Sequence, residues 1–239
     1  MFFALLSLLI TRINMNIKGA IFDMDGTLID SLMYWDDLYK RIGKKYFNDE
    51  SFYPSSEIDK TIRPMIYADA MSRLRECYNI PAEPDEFLSF CERGISEFYR
   101  NVAKPKKGAR ELLEDLKKKN VKICLASATA IHEVKAAIKY HGISEYFDFV
   151  ISCADIGVGK DKPDIFLKAL SLMELSADSV CVFEDSFVAL ETAKSLGCQT
   201  VGVFDEFNSE QKRLMASSDI YLGEGKSLYE LSKIIQKAE

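Results

Sequence analysis

The chain has 239 residues with a formal net charge of −6; 48% of its residues are hydrophobic and 28% charged. That length suits one domain with a large insertion, or two unequal domains, with ample apolar material for a core. The acidic balance excludes the basic footprint that nonspecific nucleic-acid binding requires.

Met1 to Ile10 is almost wholly apolar. The stretch is too short to span a bilayer and lacks the basic start and small-residue cleavage site of a secretory signal. Met15 reads as the natural start. Residues 1–14 are then an extension outside the fold, with a weak signal or anchor as the alternative, and no stable membrane association is expected. The next run, Lys18 to Met24, reads as a strand that ends in Asp23-Met24-Asp25-Gly26-Thr27. Side chains at i and i+2 lie on one side of a strand. As far as strand geometry persists, Asp23 and Asp25 therefore share a site at its C-terminal end, where open α/β sheets bind ligands. Paired carboxylates repel unless a cation or a shared proton relieves them. Hard oxygen ligands of this kind suit Mg²⁺, and Gly26 allows a sharp turn beside them. Alone, the same residues also read as an acidic turn without chemistry.

From Ser31 to Val102 the pattern is helical. Trp35, Leu38, Ile42 and Tyr46 repeat at helical spacing; so do Ile66, Ala70, Leu74 and Tyr78 after Pro64, and Phe87, Phe90, Ile95 and Phe98 after Pro84. No strand pattern interrupts them, so a helical insertion directly after the first strand is expected. Beyond it, strands and helices alternate. A helix over Ala109 to Lys119 precedes a strand over Val121 to Ala126. A helix over Ile131 to Tyr140 precedes a strand over Phe147 to Ser152. A helix starting near Pro163 precedes a strand over Val180 to Phe183. A helix over Phe187 to Leu196, stopped by Gly197, precedes a strand over Thr200 to Phe204. This alternation predicts a parallel sheet covered on both faces. The six cysteines form no C-x-x-C pair and, with two histidines, no zinc pattern. Cys124 and Cys181 lie in apolar strands, so buried reduced thiols and a cytoplasmic compartment are expected.

Three further strand ends carry polar residues. Ser127 follows the second strand, where a hydroxyl and backbone N–H groups can hold phosphate oxygens or simply cap the next helix. Lys160 and Lys162 lie in Gly159-Lys160-Asp161-Lys162-Pro163-Asp164-Ile165-Phe166, either lysine being functional or solvated. Glu184 and Asp185 follow another strand, as an ion site or as acidic residues favoured at a helix start.

In this order, the four segments resemble the four motifs of the haloacid dehalogenase superfamily, and most locally its β-phosphoglucomutase-like and phosphoglycolate phosphatase-like group. The resemblance covers about Ile17 to Tyr221. It implies an α/β fold with a Rossmann-like parallel sheet, a core of residues 15–30 and 103–239, and an all-helical cap of residues 31–102. It implies that Asp23 is the nucleophile, becoming an aspartyl phosphate, and that Asp25 is the general acid and then the base. Ser127 and Lys160 would hold the phosphoryl group, with backbone N–H groups near Met24, Asp25 and Ala128. Mg²⁺ would be held by Asp23, the Asp25 backbone carbonyl and Asp185, with Glu184 binding the ion or orienting its waters. Asp161 replaces the first proline of the third motif; alignment favours Lys160 over Lys162.

Relatives that are mutases carry a histidine on the first cap helix. Here that stretch is Ser31-Leu32-Met33-Tyr34-Trp35-Asp36, with Trp35 near the expected place, and the histidines, His132 and His141, follow Ser127 as surface or packing residues. Hydrolysis of a small phosphomonoester is therefore expected, a sugar phosphate or a phosphoglycolate-like metabolite. Phosphoryl-transfer isomerisation is the alternative, and a noncatalytic phosphate- or metal-binding module a remoter one. Dehalogenases lack the second aspartate, which Asp25 supplies here. Tyr34, Trp35, Arg63 and Arg73 are candidates to face the site, although aromatic residues at helical spacing are commonly core. A monomer or weak dimer is expected.

Overall fold

The computed structural model describes residues 15–63 and 65–237; the expectation for residues 1–14 lies outside them. In chain order the strands are β1 (Met15–Ile17), β2 (Gly19–Phe22), β3 (Ile29–Asp30), β4 (Lys104–Pro105), β5 (Lys122–Ser127), β6 (Phe149–Ser152), β7 (Val180–Glu184), β8 (Gln199–Val203), β9 (Ile220–Leu222) and β10 (Ile235–Lys237). Six of them form one parallel sheet in the order β6-β5-β2-β7-β8-β9. The α/β class and the parallel sheet are those expected from the alternating pattern.

The central strands are apolar apart from their ends because both faces are covered. Ala20, Phe22, Ile123, Leu125, Cys181 and Phe183 face one core, while Ile21, Cys124, Ala126, Val180 and Val182 face the other. This is the two-residue alternation of a strand with no solvent side. The first face packs on α5 (Ala109–Lys118) through Leu112, Leu113 and Leu116, and on α6 (Ile131–Tyr140). The second packs on α8 (Asp164–Met173) and α9 (Phe187–Ser195), after the short α7 (Cys153–Ile156). Phe22 and Phe183 stack across β2 and β7 with ring centroids 4.1 Å apart. Cys91, Cys124, Cys153, Cys181 and Cys198 are buried thiols and Cys77 half-buried, all unpaired.

Between β3 and β4 the chain is helical: α1 (Tyr34–Ile42), α2 (Ser56–Ile62), α3 (Tyr67–Cys77) and α4 (Pro84–Asn101). The expected helix through Tyr46 changes pitch at Gly43 and continues as a π-helical turn, Gly43–Phe47. A Cβ on Gly43 would sit 2.1 Å from the Asp49 carbonyl oxygen, so only glycine admits that approach. The two crossings into and out of the insert run side by side as the antiparallel pair β3-β4. Lys106 joins them to the sheet, donating to Asp30 Oδ1 and Asp205 Oδ2, each at 2.9 Å, and to the Phe204 carbonyl at 3.0 Å. No described helix is long and apolar enough to cross a membrane.

The far edge of the sheet depends on one carboxylate. Asp219, preceding β9, accepts from Thr200 N and Oγ1 and from Lys194 Nζ, each at 2.9 Å. Burial opposes its charge, but these donors outweigh burial and hold the carboxyl below its ordinary range. A depressed carboxylate contributes stability above the unfolded pKa and loses it as pH falls through the folded one. Asp219→Asn should therefore cost about 1 kcal/mol at neutral pH, discounted for its exposure, and much less near about pH 3. Thermal unfolding at both pH values checks this; an equal loss at both would refute it.

Candidate active site

The site forms where the sheet reverses its winding. From β2 the chain goes through the insert to β5 on one side and on to β6, then returns to β7 on the other side. The carboxyl ends of β5, β2 and β7 thus open onto a shared crevice, the topological switch point at which such sheets bind ligands. Asp23 lies one residue beyond β2, its N–H donating to the Phe183 carbonyl at 3.0 Å. The chain then turns back, with Leu28 and Ile29 both donating to the Met24 carbonyl. Gly26 sits at φ +80°, and a Cβ there would come within 2.8 Å of the Asp185 carboxylate. The turn, rather than strand alternation, therefore sets the two aspartates. Asp23 faces the end of β7, and Asp25 faces β5 and the insert. Both line the same cavity.

Asp23, Glu184 and Asp185 are buried together, with one oxygen from each within 4.8 Å of the others. Lys160 is buried among them and bonds to Asp23, and to Glu184 Oε1 at 2.6 Å. Lys162 is exposed, its ammonium 3.8 Å from Asp161. The other Glu184 oxygen accepts from Ser186 N at 2.8 Å. Asn208 donates to the Asp185 carbonyl at 2.5 Å, tying the loop after β8 to the cluster. One ammonium cannot balance three buried carboxylates. Burial, with Glu184 and Asp25 nearby, pushes Asp23 up to about 8 despite Lys160. Burial, Glu184 and Asp23 also push Asp185 well upward. Lys160 shifts the opposite way from its burial, because Asp23 and Glu184 hold it charged. Excess negative charge on hard oxygen donors fits a small divalent cation, Mg²⁺ before softer metals. The Asp25 carboxylate is not part of this cluster.

Asp25 is instead ringed by hydroxyls. Its Oδ1 accepts from Ser31 Oγ at 2.7 Å and from Tyr99 at 2.5 Å; its Oδ2 accepts from Thr129 Oγ1 at 2.8 Å. Tyr99 comes from α4, and burial and the adjacent Asp25 keep its phenol protonated and therefore a donor. Ser127 is fully buried at the end of β5; its Oγ accepts from Thr129 N at 3.0 Å and lies 3.5 Å from Asp25. Ala128 and Thr129 line the cavity, whereas Met24 is enclosed in the core. Sequence reading missed Ser31, Tyr99, Thr129 and Asn208. A signal existed only for the two hydroxyls close to motif residues.

The cavity has a volume of about 380 Å³, and its outer wall comes from the insert. Tyr34, Trp35 and Arg63 line it as the sequence suggested. Arg63 lies over the Trp35 ring at 5.5 Å and pairs with Asp59 at 2.8 Å. Arg73 is exposed and outside the cavity, a correction to its candidacy, because it lies to the solvent side of the buried stripe of Ala70, Met71 and Leu74 on α3. His132 is exposed and His141 half-buried, and neither lines the cavity.

A family model described as haloacid dehalogenase-like hydrolase matches residues 17–197. The phosphorylated carbohydrates phosphatase of Thermotoga maritima is 27% identical over 84% of this chain and 92% of its own length. Validoxylamine A 7'-phosphate phosphatase of Streptomyces hygroscopicus subsp. limoneus is 27% identical over 86% of this chain and 92% of its own. The solved structure of a beta-phosphoglucomutase, so described provisionally, from Thermotoga maritima aligns with a TM-score of 0.71 at 26% identity, covering 91% of this chain and 98% of that one. The chain belongs to the haloacid dehalogenase-like hydrolases, and it is an enzyme of their phosphatase type, as the four motifs led one to expect.

Proposed function

We propose that this haloacid dehalogenase-like hydrolase is a Mg²⁺-dependent phosphatase of a small phosphomonoester, a sugar phosphate or phosphoglycolate-like metabolite. It would act through an aspartyl phosphate on Asp23. The observation that carries the reading is the contact of Asp23 with Lys160 in one buried cluster with Glu184 and Asp185, beside an Asp25 that opens into the same cavity. Two relatives, named for phosphorylated carbohydrates and for validoxylamine A 7'-phosphate, support a small phosphomonoester as the substrate class.

Asp23 and Asp185 would hold Mg²⁺ through their carboxylates and Asp25 through its backbone carbonyl, while Glu184 would bind the ion or fix its waters. Bound there, the ion would neutralise charge on the phosphoryl oxygens. Asp23 attacks phosphorus in line, and the bond to the leaving oxygen breaks. Asp25 gives its proton to that oxygen. Asp25 then takes a proton from a water, which attacks the aspartyl phosphate, releases phosphate and restores Asp23. Lys160, Ser127 and the backbone N–H groups of Met24, Asp25 and Ala128 stabilise the transferring group. Residues 31–102 serve as a cap that excludes bulk water and reads the leaving group. The free thiols fit a cytoplasmic setting.

Phosphate release from a panel of sugar phosphates, phosphoglycolate and nucleoside monophosphates tests this. Release is expected with Mg²⁺, to fall by at least about 10²-fold on chelation, and to return with added Mg²⁺. Chelator-insensitive release would refute the metal role. Isomerisation of β-glucose 1-phosphate without release would make the protein a mutase, with Trp35 where other mutases place histidine.

A further inference from the structure

We propose that Tyr99 is the positioning residue that makes the acid–base step depend on docking of the helical insert, by holding the Asp25 carboxylate in its working direction only while α4 is seated on the core. The inference rests on the phosphatase reading, in which Asp25 protonates the leaving oxygen. Of the hydroxyls bonded to Asp25, Ser31 follows the first crossing directly, and Thr129 and Ser127 belong to the core. Tyr99 alone is carried by a helix of the insert, 74 residues away in sequence. Its ring is buried and lines the cavity. A second bond seats the same helix: Ser96, three residues earlier and on the same face, donates to the buried Glu133 of α6 at 2.5 Å. Undocking α4 would therefore take one of the two donors from Asp25 Oδ1, leaving Ser31 there and Thr129 on Oδ2, and shift the direction in which the carboxylate is held. A carboxylic acid off line delivers its proton to a leaving oxygen poorly, and misplacement by about 1 Å costs about 10²-fold in rate.

The test uses leaving groups that differ in their need for a proton. A sugar alkoxide must be protonated as it departs, whereas the acetate of acetyl phosphate need not be. The ratio kcat/KM, which covers steps up to phosphoryl departure, is measured for glucose 6-phosphate, or whichever panel ester turns over fastest, and for acetyl phosphate. Tyr99→Phe should lower the sugar-phosphate value by about 10²-fold and the acetyl phosphate value by about threefold or less. Asp25→Asn should show the same contrast. Ser96→Ala removes a docking bond without touching Asp25 and should lower the sugar-phosphate value more than the acetyl phosphate value, by less than Tyr99→Phe does. The contrast between substrates does not depend on the amount of folded enzyme, so a partly misfolded variant still answers the question. An equal loss on both substrates in Tyr99→Phe, or no loss, overturns the inference while wild-type activity keeps the phosphatase reading. A wild-type protein silent on every ester overturns both.

Discussion

Replacing Asp23 by Asn is expected to abolish turnover while making the metal-free protein more stable. The first effect follows from chemistry: an amide cannot form the aspartyl phosphate, and loss of a nucleophile costs about 10⁴-fold or more. The second follows from charge. Asp23 is buried beside Glu184 and Asp185 with one ammonium among them, and its carboxyl is pushed up to about 8. A carboxyl raised in the folded state binds protons there that the unfolded chain has released. Stability must then fall as pH rises from the unfolded pKa, about 4, toward 8. Asparagine removes that slope. At pH 7.5 in chelator the variant should gain at least about 1 kcal/mol, the value of one pKa unit, or about 2–4 °C in Tm for a chain of this size. Wild type should recover most of the difference in Mg²⁺ and the variant little of it. Thermal unfolding across pH, with chelator and with Mg²⁺, reads all three. A variant less stable than wild type in chelator would mean that the cluster is not short of positive charge.

The frame of the candidate site was legible because its signals are local. β2, β5 and β7 are apolar runs ending in polar residues, and the alternation of strands with helices placed those ends at one edge. Where pairing is long-range, nothing local marked it. β1 pairs with β10 across the chain, β3 with β4 across the whole insert, and β9 is three residues long. The turn after Asp23 carried its own signal in Gly26. Its consequence, that the two aspartates face different partners, depends on where Asp185 and Tyr99 arrive in space. Tyr99 was hidden by its neighbour: helical spacing picks out Phe98 as the core-facing residue of α4, and both are buried. Ser127 shows the opposite case. Its motif position was plain, but the helix-cap alternative does not hold: the next helix starts at Ile131 without a side-chain cap, and the Ser127 hydroxyl accepts the Thr129 N–H in the turn before it while lying near Asp25.

Lys160 gives the companion result of opposite sign. Lys160→Met keeps the length of the stem and removes the one charge that opposes the carboxylates. Lys160 is 8% exposed and bonds to both Asp23 and Glu184. Breaking a buried pair by deleting one partner costs about 3–5 kcal/mol, because the remaining charges stay buried and unpaired. In chelator the variant should therefore melt about 10 °C below wild type. Mg²⁺ should narrow that gap, since a cation held by Asp23 and Asp185 would supply part of the missing charge. Activity should fall by about 10²–10³-fold even with saturating metal, the range seen when a fixed donor to a developing oxyanion is lost. Asp23→Asn and Lys160→Met thus lose turnover together but move metal-free stability in opposite directions, a pattern that general damage to the fold does not produce. The double variant should lie between them, with coupling between the two sites of about 1–3 kcal/mol, because each single change alters the charge that the other residue meets. Simple additivity of the two would mean that Lys160 is held by Glu184 alone, and its assignment as the partner of the nucleophile would fall.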